Sequence, residues 1–201
     1  MTKEEKIKYL LIPASGFGIG GGLSSWMMLH FLSEGKTNNF VMILGATIFG
    51  LFSSISLVLL FKNINNARKS AFIFLGILFW IIIFYIAFWG IIFAVEVLPL
   101  IILLIFLLIV TLSGLFYGLM LKIFLKTQFW PVFWRVVAGF LFGPFIVVLA
   151  TTLVSIKAFS VGIYFIFILL PGIIFGLCVG WGIYKGQKID LDKTRQILQK
   201  T

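Results

Sequence analysis

Six stretches of more than 20 residues contain no Asp, Glu, Lys or Arg, and all 22 charged residues of the chain lie between or beyond them. An ionised side chain at the centre of a bilayer costs at least about 2.5 to 3.5 kcal/mol on insertion, so this segregation predicts six transmembrane helices. They run over 10–32, 40–61, 71–95, 99–121, 136–156 and 161–184. At about 1.5 Å per residue each crosses the roughly 30 Å hydrocarbon core with a little length left for tilt. Barrel strands are excluded because they alternate in polarity over about 10 residues, and no stretch here alternates. The composition agrees: 62% of residues are apolar and 11% charged, against roughly 45–50% and 25% in soluble domains. The expected fold class is all-α, a polytopic integral membrane protein with one six-helix domain over residues 1–184 and a basic tail over 185–201.

Orientation follows from the positive charges, which cytoplasmic segments retain during insertion. With the N-terminus inside, 14 of the 16 basic residues fall on the inner side and only Lys36 and Lys157 on the outer. Both termini are therefore expected in the cytoplasm, and the formal charge of +10 is expected to meet anionic headgroups rather than nucleic acid. The first apolar stretch is about twice a signal-peptide core and is preceded by Glu4 and Glu5, so it reads as a retained span. The sequence has no Asn-x-Ser/Thr sequon. A prokaryotic cytoplasmic membrane is the expected location, with an organellar inner membrane as the alternative.

The outer connections, 33–39, 96–98 and 157–160, are short. Of the inner ones, 62–70 reads as an Asn-rich polar turn, and 122–135 interleaves Phe129, Trp130, Phe133 and Trp134 with basic residues. That mixture suits the headgroup boundary, as an anchor or as a docking surface for a cytosolic partner. The tail sets Ile189, Leu191, Ile197 and Leu198 among charges, a pattern compatible with a solvated tail or a short amphipathic helix.

Small residues at helical spacing mark where helix backbones approach in lipid. Such stripes include Gly50 on the second span, Gly114 and Gly118 on the fourth, Gly143 on the fifth, and Gly172, Gly176 and Gly180 on the sixth. The third span, rich in Phe, Ile and Trp, is expected at the periphery. The first carries a stripe too, Ser15, Gly18, Gly22 and Ser25, but one segment of it departs from ordinary packing, with five glycines between Gly16 and Gly22, preceded by Pro13. Each glycine costs a helix roughly 0.8 to 1 kcal/mol relative to Ala, so the segment is either a packed continuous helix or a broken one exposing carbonyls to a solute. On the second reading Gly18, Gly20, Gly22, Ser25 and His30 are the candidate substrate-binding residues. A repeated small-x-x-x-small motif on the second, fourth and sixth spans is short enough to arise from packing alone.

Acid–base chemistry has little to work with. His30 is the only histidine and Cys178 the only cysteine, so neither a catalytic constellation nor a metal set is expected, and no cofactor. The polar groups left in the spans are hydroxyls, concentrated on spans one, two, four and five. In size and helix count the chain is similar to the substrate-capturing membrane subunits of vitamin transporters, a similarity of architecture that no sequence motif carries. Two functions fit: a transporter or transporter subunit binding a small neutral or lipophilic solute, or a non-catalytic accessory subunit assembling with other membrane subunits or with itself.

The charge distribution makes a direct prediction. In a Cys178→Ser background, a cysteine replacing Asn38 should react with a membrane-impermeant maleimide in intact cells, and one replacing Asn65 should not. Labelling at Asn65 overturns the orientation.

Overall fold

The computed structural model describes residues 2–33, 39–61, 64–95, 99–153 and 161–198. They form six α-helices: α1 (Lys3–Ser33), α2 (Asn39–Leu59), α3 (Asn66–Val95), α4 (Pro99–Leu125), α5 (Phe129–Leu153) and α6 (Val161–Leu198). Four of them contain segments long and apolar enough to cross a membrane: Asn39–Leu59, Asn66–Ile86, Phe106–Leu125 and Leu169–Leu191. Of the outer connection expected at 33–39, Ser33 and Asn39 belong to the flanking helices and 34–38 lie outside the described residues, as do the connections expected at 96–98 and 157–160.

Local chemistry sets the helix ends. Thr2 and Glu5 form a capping box, the Thr2 N–H donating to Glu5 Oε2 at 2.8 Å and the Glu5 N–H to Thr2 Oγ1 at 3.2 Å, which starts α1 seven residues ahead of its apolar stretch. Asn65 caps α3 by accepting the Ala67 N–H at 3.0 Å. Pro99 opens α4, a position where a missing N–H removes no intrahelical bond. At the end of α4, Lys126 takes φ 53° and the Thr127 N–H donates to the Leu121 carbonyl at 3.2 Å. The connection is thus only 126–128, and the aromatic stretch expected to lie along the boundary forms the first turns of α5. Likewise, the tail does not make a separate helix: α6 runs on unbroken through it to Leu198.

Each helix packs on its neighbours in sequence, and α6 closes on α1, so the six form a ring. The α1–α6 seam is the most extensive of these interfaces. Its register is antiparallel: Gly172 lies on the backbone of Phe17 and Gly18, Gly176 on that of Pro13 and Ala14, and Gly180 on the Tyr9 carbonyl. A Cβ on Gly176 would stand 2.5 Å from the Pro13 oxygen and 2.7 Å from Ala14 Cα, far inside contact distance. Proline explains part of the fit. Pro13 has no N–H, so the Tyr9 carbonyl lacks its helical donor, and Gly180 lets α6 settle directly over that oxygen. The other glycine contacts, Gly50 on Ile77 and Gly182 on Pro131 and Val132 among them, continue the antiparallel order around the ring.

Antiparallel order brings the start of α1 and the end of α6 to the same end of the ring. There the Tyr9 hydroxyl donates to Gln187 Oε1 at 3.4 Å, and Lys6 sits 6.0 Å from the Tyr184 ring centroid. Burial, and after it the Glu5 carboxylate, push the Tyr9 phenol up, keeping it a donor at neutral pH. Arg135 packs at 5.6 Å over the Trp181 ring near the same end. The third helix is the least buried of the four membrane-length segments, at 22% against 44–61%, consistent with a place toward the lipid.

Lengthening the seam residues should open the ring. Gly176→Leu forces side-chain atoms into the α1 backbone and should destabilise the protein by at least the 1–3 kcal/mol or so of core overpacking, read as a lower unfolding temperature in detergent. Leu115→Ala, on an exposed face, should change it little.

Candidate functional site

The centre of the ring is closed by aromatic side chains, one or more from every helix: Phe17 of α1, Phe49 of α2, Trp80 of α3, Tyr117 of α4, Phe140 of α5 and Phe175 of α6. Neighbouring rings meet edge-on, as in Phe49–Trp80 at 4.4 Å and Phe140–Phe175 at 4.5 Å. Others reach across the ring, Phe17 to Tyr117 at 5.8 Å and Trp80 to Phe175 at 6.2 Å. Aromatic quadrupoles favour these edge and tilted arrangements. Although α3 lies outermost among its peers, it delivers Trp80 to the middle of the molecule.

Polar atoms in this layer form a short chain of hydrogen bonds. The Trp80 indole N–H donates to the Tyr117 hydroxyl at 2.7 Å, with both groups buried. That hydroxyl is hydrogen-bonded to Ser53, whose own hydroxyl donates to the Gly50 carbonyl at 3.2 Å. The indole N–H and the Ser53 hydroxyl are thus both paired, as buried polar groups require.

Three other buried hydroxyls, those of Ser24, Ser54 and Ser113, have no hydrogen-bond partner among the described residues. Ser54 lies at the α2–α3 contact, against Gly76. Ser24 and Ser113 are placed differently. Ser24 is seven residues from Phe17 and Ser113 four from Tyr117, both spacings that return to the same helix face. Because α1 and α4 run in opposite directions, the two hydroxyls sit on the same side of the aromatic layer, about 10 and 6 Å along their helices from it. By contrast Ser15, Thr47, Ser56 and Thr111 donate to carbonyls three or four residues back at 2.7–2.9 Å.

The candidate residues of the first span are distributed rather than gathered. The glycine-rich segment is a continuous helix. Gly18 packs on Ile173 and Gly22 on Leu169, both of α6, while Gly20 packs on Phe52 and Phe49 of α2. Ser25 is half-buried. His30 is exposed and stacks on Trp26, ring centroids 5.8 Å apart and nearly parallel, with Phe31 edge-on. Of the packing glycines, Gly114 meets Phe133 and Val137, and Gly118 meets Phe129, at the α4–α5 contact. Gly143 belongs to α5, and its surroundings lie outside the described residues.

Sequence reasoning did not single out the aromatic layer, since any of 24 Phe residues could have filled it. A partial signal was present in Trp80, a polar-tipped ring nine residues inside its apolar span, whereas Tyr117 lies only four residues from the expected end of its own. Among the described residues no group of three or more His, Cys, Asp or Glu is placed to hold a metal ion. Comparison with protein-family models, curated proteins and solved structures yields no match.

The Trp80–Tyr117 bond can be measured. Tyr117→Phe leaves a buried indole N–H unpaired and should cost about 1–3 kcal/mol, and the loss should shrink markedly when Trp80→Phe is already present. Additive losses in a double-mutant cycle of denaturant unfolding would show that the bond carries no coupling.

Proposed function

We propose that the chain spans the prokaryotic cytoplasmic membrane six times, with both termini in the cytoplasm, and acts as a transporter or transporter subunit for a small neutral or lipophilic solute. Four membrane-length helices and the gathering of both chain ends support the placement. One observation carries the solute reading: Ser24 and Ser113, 2% and 0% exposed, both lack hydrogen-bond partners among the described residues and sit on one side of an aromatic layer. A buried hydroxyl left unpaired costs roughly 1–3 kcal/mol. A solute with an apolar body and a polar group meets both needs, stacking on the rings and bonding to the hydroxyls. No charged group is required, and no acid–base step is invoked.

The competing reading, an accessory or assembly subunit, relies on small-residue stripes and on the basic inner face to hold other subunits. Here the α1 and α6 stripes are taken up within the chain, Gly18 and Gly22 against Ile173 and Leu169 and Gly172 and Gly176 against the α1 backbone, which weighs for the solute reading.

The deciding experiment is to purify the protein in mild detergent, denature it and identify what is released by mass spectrometry. Ser113→Ala and Ser24→Ala should each lose the retained solute several-fold while stability holds or rises, because the substitution removes an unpaired group. Lys193→Ala should retain it. Stoichiometric co-purification of other membrane subunits with no small molecule would establish the accessory role instead.

A further inference from the structure

At the end of the ring where α1 begins and α6 ends, two opposite charges line one cleft without pairing with each other. The cleft, about 490 Å³, lies between the last turns of α4, the 126–128 connection, the first turn of α5 and the extension of α6. Lys122 and Asp190 both line it, and no ion pair joins them among the described residues. Asp190 Oδ1 accepts a hydrogen bond from the Gln128 amide, which ties the α6 extension to the connection, and Oδ2 has no donor among the described residues.

Beside Lys122 is a third polar group. Thr127, 4% exposed, lines the cleft, and its hydroxyl has no partner among the described residues. The start of α5 at Phe129 adds backbone N–H groups that have no intrahelical acceptor, a setting that favours a phosphoryl oxygen. The remaining walls are apolar. Leu119 and Trp130 are 47% and 63% exposed, and Leu119 belongs to the apolar segment Phe106–Leu125, so the cleft opens where that segment reaches the headgroup level.

The geometry points to the phosphoethanolamine head of a phospholipid as the occupant, its phosphate on Lys122 and Thr127, its ammonium on Asp190 and its acyl chains along Leu119 and Trp130. A purely anionic head would leave Asp190 facing like charge, and a quaternary choline offers that carboxylate no N–H donor. The inference rests on the bilayer placement of α4 and is independent of the solute reading.

The test titrates the full chain in detergent with dioleoyl phosphatidylethanolamine, phosphatidylcholine and phosphatidylglycerol, counting bound lipid by native mass spectrometry. Phosphatidylethanolamine should bind about tenfold more tightly than phosphatidylcholine, the effect of one charge-assisted hydrogen bond. Asp190→Asn keeps the acceptor for Gln128 and should bring the two lipids level. Lys122→Gln should weaken phosphatidylethanolamine and phosphatidylglycerol together, and soluble phosphoethanolamine should not compete. Equal binding of the ethanolamine and choline lipids by the unaltered chain overturns the proposal. So does a preference that survives Asp190→Asn, or displacement by soluble phosphoethanolamine at the lipid's own concentration, which would make the source a soluble phosphate ester. If Asp190→Asn does not fold, the comparison of the two lipids on the unaltered chain decides alone.

Discussion

The seam between α1 and α6 holds the first and last helices of the chain together, and the ring exists because that seam closes. In hydrocarbon there is no hydrophobic gain from pressing two apolar helices together, so closure depends on how nearly their backbones approach. Gly172, Gly176 and Gly180 repeat every four residues and meet Phe17, Pro13 and Tyr9, which descend α1 in steps of the same length. Two antiparallel helices with matched four-residue steps keep their register over several turns. The proline adds to this rather than disturbing it, since the carbonyl it deprives of a donor is the one Gly180 covers.

Closing the ring creates an interior, and the aromatic layer fills it. Large flat rings contributed from every helix, Phe17, Phe49, Trp80, Tyr117, Phe140 and Phe175, meet there. Tertiary packing of this kind explains why α1 stays helical across five glycines: at Gly16, Gly18 and Gly22 the propensity lost is offset by contacts that only a residue without Cβ permits. The Trp80–Tyr117–Ser53 chain lets a polar hydrogen-bonded path sit inside an otherwise apolar layer. Ser24 and Ser113 stand on the same helix faces and lack such partners among the described residues, which sets them apart chemically from the hydroxyls that bond back to their own helices.

The proposed solute binding would rest on hydrogen-bonding and shape rather than on ionised groups in the middle of the helices. The charges are at the helix ends, where Lys6, Arg135 and Lys122 rest near Tyr184, Trp181 and the α4–α5 connection. Aromatic and basic side chains together suit the headgroup region. The unbroken α6 carries Asp190 to that connection, so the tail is part of this end of the fold.

How much was legible beforehand differs by level. Helix number and approximate bounds could be read from the sequence, because charge exclusion is a property of single helices that every residue reports independently. The capping box at Thr2 and Glu5 was equally local, although its effect on the length of α1 became visible only with the fold. Which glycine faces which helix, why Gly18 and Gly20 point to different neighbours, and which of 24 Phe residues enter the central layer were decided by tertiary structure alone. The reason is physical: an all-apolar helix in lipid has no hydrophilic face to betray its orientation, so only the contacts between helices can choose one.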